Sequence, residues 1–333
     1  MKTKIVNLMN SEFYTMAKNP NQLDENEDRF INLPGTYAVI DGVSDKSGLR
    51  YDGQTKGQIA GQVIEDVICH LHESNNGNLI EAETLLQNIN AAFKLAPQGF
   101  DADEAGGAQL VVVQECLSDF RFIIIGDAGL RINGSETYMS KFLIDDICSC
   151  LRTAVWNFMN IKDVDIQIRN EISRAYTING LGVALSIGEP WINENDLEDL
   201  RQNTTETLKT ILPNMSLTLI EIILRGGLRS QPQYVNRIHK LGYPCVNGSP
   251  IPSEFIVQFD RKRSEIDTIE LFSDGYFGCP QGQTVSDWEK HFQYVETVDP
   301  NKVGDFRSTK GSSHNLFTDD RTILILSKPT DNS

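Results

Sequence analysis

Tyr37-Ala38-Val39-Ile40-Asp41-Gly42 is a short apolar run that ends on a carboxylate and a glycine. The run reads as a strand over 37–40 that the Asp-Gly pair stops, with the acidic residue standing at its end. Related arrangements occur in three other places: Ile125-Gly126-Asp127, Phe272-Ser273-Asp274-Gly275 and Asp319-Asp320-Arg321-Thr322, the last just ahead of an apolar run. Glu27-Asp28 adds an acidic pair near the first strand. Any one of these is an ordinary solvated turn, because Asp and Gly favour turns for conformational reasons of their own. As a set they acquire chemical meaning only if the fold gathers the strand ends.

The rest of the chain supplies the elements that could do so. Residues 12–18 read as a first strand and the polar stretch 19–28 as a loop. From Gly57, Ile59, Ala60, Val63, Ile64, Val67, Ile68 and Leu71 follow helical spacing, and a second helix is predicted over 79–95. Strands are predicted over 108–114 and 120–125, followed by a hairpin that pairs 130–132 with 136–138 through the Asn133-Gly134 turn. The pattern then turns helical, over 142–159, 164–176, 196–211 and 217–224. Strands return at 255–259 and 268–272, a helix at 286–295 and a terminal strand at 322–326. This order fits a layered α+β domain better than a strict βα alternation, and no internal repeat is visible.

The 333 residues include 46 Asp and Glu against 30 Lys and Arg, a formal charge of -16, which argues against nucleic-acid binding because a polyanion would be repelled. With 40% hydrophobic residues the chain can bury a core and is not a disordered acidic protein. MKTKIVNLMN does not read as a signal peptide, and no apolar run is long enough to cross a bilayer, so a soluble, cytoplasmic protein with no membrane partner is expected. The six cysteines lack a zinc-ligand spacing. His70 and His72 cannot share one helix face, and His314 reads either as a general acid near Asp319 or as a loop histidine. There is no Gly-x-Ser-x-Gly elbow and no P-loop.

Converging carboxylates with almost no interleaved His or Cys would form an oxygen-rich site that repels itself unless hard cations neutralise it. Mg²⁺ or Mn²⁺ suits such donors, and a pair of ions can activate water while holding a phosphoryl oxygen. The chemistry this predicts is metal-assisted phosphoester hydrolysis.

In content and order these motifs resemble the protein phosphatase 2C family, the metal-dependent Ser/Thr phosphatases, in its divergent bacterial form. The resemblance runs through Asn26-Glu27-Asp28-Arg29-Phe30, Tyr37 to Gly42, Gly107-Ala108-Gln109-Leu110 with Val111-Val112-Val113, Gly126-Asp127-Ala128-Gly129, Ser273-Asp274-Gly275 and Asp319-Asp320-Arg321-Thr322. It implies a four-layer α-β-β-α sandwich with a helical elaboration in the middle of the chain and a metal cluster at one end of the sandwich. By the resemblance, Asp41 bridges two ions with the Gly42 carbonyl as a further ligand. Asp274 and Asp319 bind the first ion, Glu27 and Asp28 support the site directly or through water, and Asp127 contributes to a weaker third ion. Asp41, Asp274 and Asp319 are thereby the catalytic carboxylates, and a metal-bridging hydroxide is the implied nucleophile. Asp320 takes the place of the family's usual Asn, either tuning the site or hydrogen-bonding nearby loops.

The sequence departs from the family in three places. Where the family commonly carries a phosphate-gripping Arg, four residues before the Glu of the early motif, this chain has Leu23; Lys18, Arg29, Arg50, Arg131 or Arg321 could substitute. The stretch Asp41 to Gly48 lacks the family's Gly-rich continuation, leaving Asp45 as an outer metal partner or a turn cap. Between 140 and 254 the resemblance fades into helices that read by default as extra core helices, or else as a substrate flap or a partner-binding insertion, within one phosphatase-like domain spanning 1–333. The expected substrate is a phosphoprotein. A small phosphorylated metabolite or nucleotide, and a catalytically weak phosphatase-like sensor or scaffold, are the alternatives.

Overall fold

The computed structural model describes residues 9–43, 49–75, 78–96, 106–183, 187–313 and 316–329. The first strands are β1 (Asn10–Met16), β2 (Arg29–Leu33) and β3 (Thr36–Val43), followed by helices α1 (Lys56–Ser74) and α2 (Ala82–Phe93). Next come β4 (Gly107–Glu115), β5 (Asp119–Ile125), β6 (Gly129–Ile132) and β7 (Glu136–Tyr138). Helices α3 (Leu143–Ile161), α4 (Ile166–Asn179), α5 (Glu194–Ile211) and α6 (Leu217–Gly226) precede β8 (Ile256–Lys262), β9 (Thr268–Phe272), α7 (Val285–Val298) and β10 (Arg321–Ser327).

The strands form two five-stranded antiparallel sheets, in the orders β2-β3-β4-β5-β8 and β1-β10-β9-β6-β7. Side-chain alternation explains why they stack. In β3, β4 and β5, Tyr37, Val39, Val111, Val113, Phe120, Phe122 and Ile124 face the second sheet, where Leu130, Ile132, Ile269, Leu271, Leu324 and Leu326 meet them. The alternate residues Ala38, Ile40, Leu110, Val112, Ile123 and Ile125 face outward onto α1 and α2. On the far side, Phe272, Ile323 and Ile325 receive Trp288 and Phe292 of α7. The result is the expected α-β-β-α sandwich.

Two details differ from the sequence reading. β2 lies where no strand was expected: Arg29-Phe30-Ile31-Asn32-Leu33 carries a charge and an amide, and it is extended by pairing with β3, Arg29 opposite Ile40. β3 also runs past Ile40 to Val43, so Asp41 is still in the ladder, opposite Gln109.

The helical middle of the chain has its own apolar cluster, built from Ile144, Ile147, Leu151, Val155 and Met159 of α3 against α4, α5 and α6. Local signals start these helices where they stand. Asp165 accepts from the Gln167 amide at 2.8 Å, Asn193 and Asp196 form a capping box, and Ser216 caps α6. Among the described residues no helix is long and apolar enough to cross a membrane.

Candidate metal centre

Antiparallel pairing brings the motif-bearing ends to one end of the sandwich. The ladder sets Val43 of β3 opposite Gly107 at the start of β4, and Leu110 opposite Ile125 at the end of β5. In the other sheet Phe272, the last residue of β9, pairs with Ile323 near the start of β10. Asp41 continues the Tyr37, Val39 parity of β3, so its carboxylate points between the sheets at the open end. Asp127 follows β5 by two residues and Asp274 follows β9 by two. Carboxylate oxygens of Asp41, Asp127 and Asp274 all lie within 4.8 Å of one another. The Asp274 amide donates to Asp41 Oδ2 at 3.0 Å, and Asp319, just ahead of β10, lines the same cavity.

Two glycines permit this approach. Gly126 has φ of +97° and sits so close to Gln109 that a Cβ would lie 2.1 Å from Oε1, the atom that accepts the Asp127 amide hydrogen. A Cβ on Gly42 would stand 2.5 Å from the Glu27 carbonyl oxygen. Only a bare backbone lets β3 pass the segment before β2, which leaves the Gly42 carbonyl beside Asp41.

Burial and mutual repulsion push the carboxyls up. Asp41 is raised by burial and then by Asp274, Asp28, Asp127 and Asp319, and Asp127 by burial, Asp274 and Asp145. Asp274 rises from 3.8 to about 7, through burial and Asp319, with Lys310 pulling the other way. Lys310 Nζ makes an ion pair with Asp319 Oδ2, and its own pKa is raised by Asp319 and Asp274 against the effect of burial.

The other predicted acids stand behind this group. The Ser273 hydroxyl donates to Asp28 Oδ2 at 2.6 Å, and burial raises Asp28. Glu27 takes Lys18 Nζ at 3.2 Å and the Thr55 hydroxyl, which also caps α1. Neither Glu27 nor Asp28 lines the cavity. Asp320 ties loops together: it accepts the Lys18 amide at 2.6 Å and the Glu27 amide at 3.0 Å. Asp45 and His314 lie outside the described residues.

Leu23 is 59% exposed and away from the cavity, and the five cations weighed as its substitutes are engaged elsewhere. Lys18 serves Glu27, Arg29 pairs with Glu65 at 3.0 Å, and Arg50 pairs with Glu25. Arg131 is buried against Glu270, and Arg321 binds Glu289 at 2.9 Å while stacking on Phe292. The cavity, of about 370 Å³, has a different basic set: Arg174 of α4, and Arg307 and Lys310 from the loop after α7. Sequence reasoning missed all three, since each lies outside the motifs and no local pattern marks it. The helical middle contributes Phe142, Asp146, Leu228 and Tyr243 to the same wall.

No protein-family model matches the sequence, and no curated protein matches it. Solved structures similar to this chain include the serine/threonine phosphatase PstP/Ppp of Mycobacterium tuberculosis, at 12% identity and TM-score 0.44, covering 97% of this chain and 100% of that one. Another is the serine/threonine phosphatase Stp1 of Staphylococcus aureus, at 13% identity and TM-score 0.44, covering 99% and 100%. The catalytic domain of PstP in complex with 2 manganese ions is similar at 10% identity and TM-score 0.42, covering 96% and 98%.

Proposed function

We propose that the protein is a Mg²⁺- or Mn²⁺-dependent phosphatase of the protein phosphatase 2C type, hydrolysing phosphoserine or phosphothreonine esters. The observation that carries this reading is the convergence of Asp41, Asp127 and Asp274, from three sequence-distant strand ends, to within 4.8 Å. All the donors are carboxylate oxygens without His or Cys, and burial and mutual repulsion disfavour their ionised forms, so the set fits a hard divalent cation. When bound, such ions supply an activated water and neutralise charge on phosphoryl oxygens.

The chain's own residues then divide the work. Asp41 would be shared between two ions with the Gly42 carbonyl beside it, Asp274 and Asp319 would complete the first, and Asp127 would serve a weaker third. Asp28 and Glu27 hold the frame from behind, through Ser273 and through the Lys18 and Thr55 contacts. The strand ends and the helical middle act as one phosphatase unit, and a phosphoprotein is the substrate. Six cysteines in the thiol form suit the cytoplasm.

The purified protein is expected to hydrolyse p-nitrophenyl phosphate and a phosphothreonine peptide only with Mn²⁺ or Mg²⁺ present. Asp41→Asn and Asp274→Asn are each expected to lower kcat by about a hundred- to a thousandfold. Undiminished turnover in chelator would overturn the reading.

A further inference from the structure

We propose that Arg174 and Arg307, two guanidiniums brought into the cavity by the helical middle and by the loop after α7, grip the phosphoryl oxygens of the substrate in place of an arginine at position 23. The inference rests on the phosphatase reading of the same site and adds the groups that would recognise the anion.

Two facts single out these side chains. Lys18, Arg29 and Arg50 are already engaged with carboxylates outside the cavity, as described above. Arg174 and Arg307 line the cavity beside Asp41, Asp127, Asp274 and Asp319, yet neither makes a hydrogen bond or an ion pair among the described residues. A guanidinium carries five donors in a planar fork that matches two oxygens of a phosphate. Two such forks without an acceptor among the described residues, above a floor of carboxylates that would hold metal ions, suit an anion that meets cations on both sides. Lys310 is not equivalent, because it is held by Asp319.

A third fact explains how the loop is held. Arg152, buried on α3, directs Nη1 to the carbonyls of Asn301 at 2.8 Å, Lys302 at 3.1 Å and Ser308 at 3.4 Å. Gly311 packs against the same guanidinium, and a Cβ there would lie 2.7 Å from Nη2. The helical middle thus contributes Arg174 directly and fixes the loop from which Arg307 projects, with Arg152 as a positioning residue. Asp146 of α3 is close enough for Arg307 to offset part of its burial without pairing with it.

The test uses the full chain loaded with Mn²⁺. Arg174→Ala and Arg307→Ala are each expected to raise KM for p-nitrophenyl phosphate, and the calorimetric Kd for inorganic phosphate, by about tenfold, equivalent to about 1.4 kcal/mol. Their kcat is expected to stay within about threefold of the parent, the pattern of a lost contact made equally in ground and transition states. Arg307→Lys should recover part of the loss. Arg261→Ala, which removes the same charge from an exposed pair with Glu136, should change neither constant. Melting temperature and Mn²⁺ affinity should match the parent in both cavity variants, which separates lost grip from lost fold. Unchanged KM and unchanged phosphate Kd in both variants would overturn the grip while leaving the phosphatase reading standing. If the parent turns over no phosphoester, the calorimetric arm still decides: phosphate binding lost in the variants supports the grip, and binding that is absent in the parent or unaltered in the variants overturns it.

Discussion

The floor of the cavity is made by strand ends, and its basic rim by a helix and a loop. On the floor, ladder register fixes each carboxylate: Asp41 is opposite Gln109, and Asp127 and Asp274 each follow a strand by two residues. On the rim, Arg174 depends on how α4 packs against α3, and Arg307 on a loop pinned by buried Arg152 and by Asp299, which accepts the Val303, Gly304 and Phe306 amides. Backbone hydrogen bonding therefore sets the floor within each sheet, whereas the rim is set by contacts between distant elements. The two should fail differently when disturbed.

The largest separation is expected from Arg152→Ala. It empties the volume of a long side chain and removes the side-chain donor shared by the carbonyls of Asn301, Lys302 and Ser308, of which, among the described residues, Lys302 alone keeps a backbone donor, the Ser308 amide, a loss of about 3–5 kcal/mol. Urea unfolding would read the loss, and hydrogen exchange should show loosening confined to 299–311 and the facing turn of α3. Phosphate affinity should fall while Mn²⁺ affinity persists. Equal losses of both would mean that floor and rim are a single unit.

Gly42→Ala acts from the opposite side, with a smaller effect. The new methyl would meet the Glu27 backbone at 2.5 Å, so β3 and the segment before β2 must separate, at a cost of about 1–3 kcal/mol. Mn²⁺ affinity measured by calorimetry should fall and phosphate affinity should follow it, since the rim cannot hold an anion over a displaced floor. Unaltered Mn²⁺ binding would show that the close approach at Gly42 is not what places Asp41.

The same contrast explains what the sequence disclosed. Asp41, Asp127, Asp274 and Asp319 could be picked out because each is tied to a strand end by one or two residues, whereas the apolar runs of β3, β4 and β5 do not show which residues face the second sheet and which face α1 and α2. β2 escaped because Arg29 and Asn32 dilute its apolar pattern and its extension comes from pairing with β3. The rim escaped for a stronger reason. Arg174 is one charged residue on an amphipathic helix and Arg307 one in a polar loop, and nothing local distinguishes either from solvated charge. Of the substitutes that the sequence offers for Leu23, Lys18, Arg29 and Arg50 are held by Glu27, Glu65 and Glu25, and Arg131 and Arg321 by Glu270 and Glu289.

The smallest effect concerns the floor alone and comes from pH. Asp274 titrates at about 7 in the folded chain against 3.8 when unperturbed, and Asp41 and Asp127 are displaced in the same direction. Between about pH 4 and about pH 7 the folded state therefore keeps protons that the unfolded chain has released. Metal-free stability must fall as pH rises through that window, the loss being complete above the folded pKa. Exposed carboxylates with depressed pKa values, such as Asp119 and Asp260, lose stability only below the window and do not mask the trend. Lys310 stays protonated throughout and limits the repulsion without removing it. Bound Mn²⁺ needs the ionised carboxylates, so its stabilising effect should grow as pH rises. Without metal, the melting temperature of the parent relative to Asp274→Asn should be lower at pH 8 than at pH 6 by about 2–4 °C, a shift equivalent to about 1 kcal/mol. Since Asn cannot titrate, the difference isolates the one carboxyl. A difference that stays flat from pH 5 to 8 would mean that these carboxylates are not crowded against one another in the metal-free protein.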